Sequence, residues 1–302
     1  MSLSFGLIIA VLILHLGAVP AGATPLPAEK PRQHSGVDTP RNEEDGDPGD
    51  GDPLYPDLTV IRPHDVTVEM VDWKEGGPYL RFGNTILNIG RGPLELRLET
   101  DQAEEKYTVS QVVYNRQDTA VLNLEVGEFV YHAPHYHWHL DDFVRYEIWT
   151  ATPDGELDQQ LVSSGKLSYC MSDTGKSQIQ PASGTAPENA IYLTCGNKRQ
   201  GLSEGWGDTY EYWYEGQSLD ASRLAPGLYA LQSVVDPENI VQETDENNNT
   251  SMVYFRIDGM EINVFETREE LQAADLQDLP APTSLQPLTL IDFSWPQNLT
   301  PR

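Results

Sequence analysis

Four of the seven histidines in this chain fall within eight residues, in the run Tyr131-His132-Ala133-Pro134-His135-Tyr136-His137-Trp138-His139. Imidazole is a borderline donor that suits copper, zinc, iron or nickel. On a strand, residues two apart face the same side, so His135, His137 and His139 are predicted to share a face. The outer two would lie roughly 13 Å apart along a straight strand at about 3.3 Å per residue. A curled or bulged strand would let three rings meet at one ion, and Pro134 disfavours regular pairing just before them. Three neutral imidazoles with an open position fit a catalytic copper or zinc. His132 reads as an outer neighbour at best.

Short β-type runs separated by turn residues must position these histidines. Between Pro56 and Asp258 the sequence repeatedly alternates Val, Ile, Leu, Tyr and Phe with polar residues. Examples are Leu58–Ile61, Tyr79–Phe82, Thr85–Ile89, Leu94–Leu98, Val109–Tyr114, Phe143–Trp149, Gly227–Val235 and Thr250–Ile257. Gly90, Gly92, Pro93, Pro226 and Pro237 punctuate them. Many strands at short spacing, without long helical periodicity, predict an all-β antiparallel sandwich with long loops. This domain is expected to span residues 56–258. Residues 24–55 are acidic and rich in Pro and Gly, with too few apolar side chains for a core, and read as a disordered linker. Residues 259–302 open with a strand-like run and a short helical stretch near Arg268–Leu276, then become a Pro-rich, loosely ordered tail.

Residues 1–23 read as a secretion signal. Phe5 to Val19 is almost wholly apolar, and Ala21-Gly22-Ala23 supplies small residues for cleavage. No other segment is long enough to cross a membrane. The predicted mature protein is therefore secreted. In that setting the two cysteines, Cys170 and Cys195, are expected to pair and to close a loop of about 25 residues. The formal charge of −28, from 47 acidic and 19 basic residues, argues against nucleic acid as a partner. The same field would draw in a cationic protein or a small amine.

Several pieces in order from Pro56 to about Ile257 resemble the lysyl oxidase family of secreted copper amine oxidases. They are Pro56-Asp57-Leu58, Phe82 to Gly90, His132-x-x-His135-x-His137-x-His139 and Asp142-Phe143-x-x-Tyr146. Then follow Gly165-Lys166-x-Ser168-Tyr169-Cys170, Gln200 to Tyr210, Pro226-Gly227-x-Tyr229, Asp236-Pro237, Glu243-x-Asp245 and Asn248-Asn249. The resemblance implies copper on His135, His137 and His139. It also implies a lysine tyrosylquinone cofactor, with Lys166 matching the family's lysine and Tyr210 its tyrosine. The implied activity is deamination of primary amines, on lysine-bearing proteins or small molecules. Dioxygen is consumed, and an aldehyde, hydrogen peroxide and ammonia are released. Only a phenol can become the quinone and only an amine can add to it, so both residue types are required.

A general base is also needed. Asp208 is the candidate because it lies two residues from Tyr210 on one strand face; Asp141 and Asp142 compete. The resemblance further implies a structural calcium on Asp57, the Leu58 carbonyl, Glu243, Asp245, Asn248 and Asn249, all oxygen donors. An Asx-rich turn satisfied by its own backbone is the other reading of that stretch. The chain departs from animal members in having far fewer cysteines and Pro134 between the first two histidines. It lacks their Cys- and His-containing C-terminal end, which suggests a divergent, microbial branch. Two other classes stay open: a non-catalytic, metal-binding sandwich used for adhesion or binding, and a cupin-like oxygenase.

Overall fold

A computed structural model of the chain describes residues 49–71, 77–98, 107–133 and 136–274. The expected signal, most of the linker, the Pro-rich tail, and Pro134 and His135 lie outside the described residues. Among those described there are fifteen strands and one helix. In chain order the strands are β1 Leu58–Val60, β2 His64–Glu69, β3 Tyr79–Asn88, β4 Leu94–Leu98, β5 Tyr107–Tyr114, β6 Ala120–His132, β7 His137–Ala151 and β8 Leu157–Tyr169. Then come β9 Gly175–Lys176, β10 Arg199–Leu202, β11 Trp206–Tyr210, β12 Ser218–Asp220, β13 Gly227–Val235, β14 Thr250–Asp258 and β15 Glu261–Phe265. The helix α1 is Arg268–Ala273. No helix of the described residues is long and apolar enough to cross a membrane.

The strands form two antiparallel sheets, as the alternating pattern predicts. The larger runs β10-β4-β5-β6-β7-β13-β14-β15, with β8 paired to β7. The smaller runs β1-β3-β11-β9, with β2 and β12 also paired to β3. The two runs Tyr79–Phe82 and Thr85–Ile89 prove to be one strand. Every residue of β3 is buried, so Gly83 and Asn84 do not break it. Its first half pairs with β2 and β12, and its second half with β1 and β11. Phe82 from the small sheet meets Tyr146 of β7 edge to face, with ring centroids 4.7 Å apart. That contact lies in a core with Leu58, Ile86, Phe129, Leu140, Phe143 and Leu231. Each fully buried side chain of this size contributes roughly 1.5–3 kcal/mol of hydrophobic stabilisation.

Beyond Asp258 the large sheet continues, since β15 pairs with β14. Helix α1 follows, capped by the Thr267 side chain and anchored by buried Leu271. Gly90 shows why one glycine is needed beside β1: a Cβ there would sit 2.4 Å from the backbone nitrogen of Asp57.

Candidate active site

The histidine run does not lie on one strand. It is divided across a hairpin in which His132 ends β6, His137 opens β7, and the two pair directly. Tyr136 turns the chain with a φ of 57°. The physical reason is local. The last pair of the two strands is His132 with His137, and a proline, which has no N–H to give a ladder, follows two residues after His132 in the sequence. His137 and His139 share a face as expected, and their Nε2 atoms come within 2.8 Å. Two nitrogens bound at about 2.0–2.1 Å to one ion at a right angle would lie about 2.9 Å apart, so the pair fits a shared ion. Among the described residues no three His, Cys, Asp or Glu side chains are arranged to hold a metal. His135, the third expected donor, is outside them.

Two neighbours flank this pair: His132, expected as an outer neighbour, and Ser168, to which the sequence alone gives no site role. The His132 ring lies 4.6 Å from that of His139 and 6.5 Å from that of His137, brought there by the hairpin. The antiparallel pairing of β6 with β7 converts the sequence spacing of five between His132 and His137 into a cross-strand contact. The second neighbour is Ser168, whose Oγ lies 3.0 Å from His139 Nδ1. With the proton on Nδ1 this bond leaves Nε2 as the metal donor, the usual way an outer partner fixes a ligand's tautomer.

Strand β8 connects the remaining candidates. Two irregularities in its pairing with β7 set their positions. One extra residue on β8 sits at Ser164–Gly165, where Gly165 has a φ of 69°. Two extra residues on β7 sit at Asp141–Asp142, where Asp142 has a φ of 57°. Bulges of this kind re-aim side chains and recur beside active sites. Here they face Lys166 toward Asp142, with Nζ 2.9 Å from Oδ2. That hydrogen bond, opposed by some burial, raises the Lys166 pKa above its ordinary value.

One residue past Ser168, Tyr169 stacks on Tyr210 at 3.8 Å and 25°. The next amide, Cys170 N–H, donates to the Tyr210 hydroxyl at 3.0 Å. Cys170 and Cys195 form a disulfide. The Cys195 carbonyl in turn accepts from Trp138 N–H, between the two histidines, at 2.9 Å. Lys166 and Tyr210 are not joined by a hydrogen bond. Four residues, roughly 13 Å of strand, separate Lys166 from the amide that holds Tyr210.

Tyr210 and Asp208 come from β11, where they pair with Asn84 and Ile86 of β3. Asp208 is 2% exposed and accepts from Ser172 N–H at 3.1 Å. Burial pushes its carboxyl up to about 7, against the pull of that hydrogen bond. Burial, then the Asp208 charge, raises the Tyr210 phenol. A carboxyl near 7 is suited to accept a proton at neutral pH.

The oxygen-rich stretch lies by the start of β1. Glu243 is buried, accepts from Leu58 N–H on one oxygen, and accepts from Asn249 Nδ2 at 2.7 Å on the other. Asn248 Nδ2 donates to Asp57 at 2.7 Å. Asp245 caps its own turn through Asn247 N–H at 2.9 Å. The side-chain oxygens of Asn248 and Asn249 are buried with no hydrogen-bond partner among the described residues. Orphaned oxygens beside a buried carboxylate fit a hard cation better than a self-satisfied turn, although Asp245 conforms to the turn.

The fold and these contacts define an all-β protein with a paired-imidazole centre beside a clamped tyrosine. Comparison with known proteins identifies the family. The family "Lysyl oxidase" matches residues 97–267, more than half of the chain. The chain belongs to the lysyl oxidase family. It is 31% identical over 137 residues to lysyl oxidase homolog 4 of Mus musculus, covering 44% of this chain and 16% of that protein. It is 32% identical over 136 residues to lysyl oxidase homolog 3 of Homo sapiens, covering 44% and 16%. It is 28% identical over 130 residues to protein-lysine 6-oxidase of Sus scrofa, covering 43% and 47%. The chain thus spans less than half the length of these relatives. The family match contains His132 to His139, Lys166, Tyr210 and Glu243 to Asn249, and leaves Asp57 and Leu58 outside it.

Proposed function

We propose that this protein is a secreted, copper-dependent amine oxidase acting on primary amines of lysine-bearing proteins or small molecules. The supporting observation is β8 with the residue after it. From Lys166 to Cys170 this run carries the lysine, bonds His139 through Ser168, stacks on Tyr210 and holds the Tyr210 hydroxyl. Copper on His135, His137 and His139 would supply the redox chemistry by which dioxygen builds lysine tyrosylquinone from Tyr210 and Lys166, the group that converts amines to aldehydes with peroxide and ammonia released.

The chain's own residues have the following parts. Ser168 fixes the tautomer and aim of His139. Tyr169 and the Cys170 amide hold the Tyr210 ring in one plane and orientation. Asp142 keeps Lys166 protonated; a nucleophilic amine must be neutral, so Lys166 has to leave Asp142 before it can add to a ring. Asp208 takes a proton from the substrate carbon, and burial gives it the required basicity. Glu243, Asp57, Asp245, Asn248, Asn249 and the Leu58 carbonyl would hold calcium, which would tie β1 to the loop before β14. The catalytic unit expected at 56–258, after a signal at 1–23 and a linker at 24–55, extends through β15 and α1 into the tail expected at 259–302. A disulfide suits the oxidising setting of an exported protein.

The rival reading is a metal-holding sandwich without redox chemistry, and the Lys166–Asp142 ion pair favours it. A redox-cycling quinone stain on aerobically copper-loaded protein separates the two. The oxidase stains and its Tyr210→Phe variant does not; the rival gives no stain in either.

A further inference from the structure

Directly after Tyr210 the chain reads Glu211-Tyr212-Trp213-Tyr214-Glu215-Gly216. Trp213 is 57% exposed and Tyr214 42%. The rings form a continuous series from half-buried Tyr210. Tyr210 and Tyr214 have centroids 6.0 Å apart at 78°, Tyr214 and Trp213 6.0 Å at 86°, and Trp213 and Tyr212 5.1 Å at 83°. A carboxylate stands at each end of the aromatic triplet.

This segment is held in place. Buried Arg81 of β3 donates from Nη2 to the Tyr212 carbonyl and, at 3.3 Å, to the Tyr214 carbonyl. Its Nε donates to the Gln217 carbonyl at 3.2 Å. Tyr214 N–H closes the turn on the Glu211 carbonyl at 2.9 Å. A buried guanidinium is tolerated only when its donors are used, and here they are used to fix the backbone of an exposed aromatic turn. The core does not need Trp213, which packs against neighbouring rings and faces water.

We propose that Trp213 and Tyr214, with Glu211 and Glu215, form a lip that receives the side chain of a protein-borne lysine; the choice of occupant rests on the amine oxidase reading. The alkyl stem lies along the rings and the ammonium sits against their faces between the two carboxylates. Ring quadrupoles attract cations, and the pre-set turn lowers the ordering cost of binding. The overall charge of −28 and the carboxylates of Glu211 and Glu215 favour a cationic occupant over an anionic one.

Calorimetric titration of the full, copper-free chain tests this. The probes are a lysine pentapeptide flanked by glycines, its Nε-acetylated twin, and pentylammonium. Wild type should favour the lysine peptide over its acetylated twin by about tenfold, from about threefold per exposed ring. Trp213→Ala and Tyr214→Ala should each lose about threefold, the double variant should lose the preference, and Trp213→Phe should keep most of it. Equal binding of the two peptides, no binding by wild type, or an undiminished preference in the double variant would overturn the lip. Pentylammonium binding as tightly as the peptide would overturn the assignment to a protein-borne lysine. No quinone takes part in this titration. A protein that keeps the preference but forms no quinone loses the oxidase reading alone; one that forms quinone without the preference loses the lip alone.

Discussion

Replacing Asp208 with asparagine isolates the cost of burying a carboxylate beside Tyr210. Burial pushes the Asp208 carboxyl up to about 7, whereas an unfolded aspartate titrates near 4 (about 3.9). Between those values the folded chain keeps a proton that the unfolded chain has lost. Stability therefore falls as pH rises across that window, by about 1.4 kcal/mol per unit for one proton. Over about three units the full effect is about 4 kcal/mol, present below about pH 4 and lost above about pH 7. The asparagine side chain does not titrate and retains an oxygen for the Ser172 amide. The stability difference, variant minus wild type, should rise by about 1.4 kcal/mol per unit from pH 5 to pH 7 and then level off. Urea unfolding of both proteins at pH 5, 6, 7 and 8 measures it. Taking the difference cancels Asp236 and Glu243, which burial also raises. A difference constant across that range would refute the buried-carboxyl reasoning. For the catalytic role, wild-type turnover of a primary amine should rise with pH through about 7. The variant should be inactive at pH 8 even though it is the more stable protein there.

Three shorter predictions follow from the same contacts. Ser168→Ala removes the Nδ1 partner of His139 and should weaken copper(II) binding about 10–100-fold in a chelator competition, with an unchanged fold by circular dichroism; unchanged affinity would show the bond is idle. Cys170→Ser with Cys195→Ser opens a loop of sequence separation 25 and should cost about 3.5 kcal/mol in urea unfolding. It should also loosen Tyr210 and Trp138, read as faster amide exchange at residues 138 and 170. Calcium at a hundred times its dissociation constant should stabilise the wild type by about 2.7 kcal/mol, and Glu243→Gln should abolish that gain; equal gains in both proteins would place the ion elsewhere.

The sequence made the sandwich legible because its strands carry period-two patterns with Gly and Pro at the turns. Gly227–Val235 and Leu94–Leu98 match their strands residue for residue. Strands β6 and β8 were not picked out. Their outward faces carry Glu125, Glu128, Gln160 and Lys166, which dilute the apolar alternation. The bulges at Ser164–Gly165 and Asp141–Asp142 are properties of strand pairing, and no single strand's pattern reveals them. His137 and His139 were legible as a same-face pair by pleat geometry alone. The place of His132 was not, because it depends on where the chain reverses. Tyr169 illustrates a further limit. Its stacking on Tyr210 joins residues 41 apart through two different sheets, and spacing cannot encode that contact.

In the proposed oxidase, Lys166 would leave Asp142 and become joined to Tyr210. Peptide mass mapping of the full chain after aerobic copper loading tests it most directly. One linked species containing both the Lys166 and the Tyr210 peptides is expected, lost in Tyr210→Phe and in copper-free controls. Recovery of both peptides unlinked after complete copper loading would contradict it.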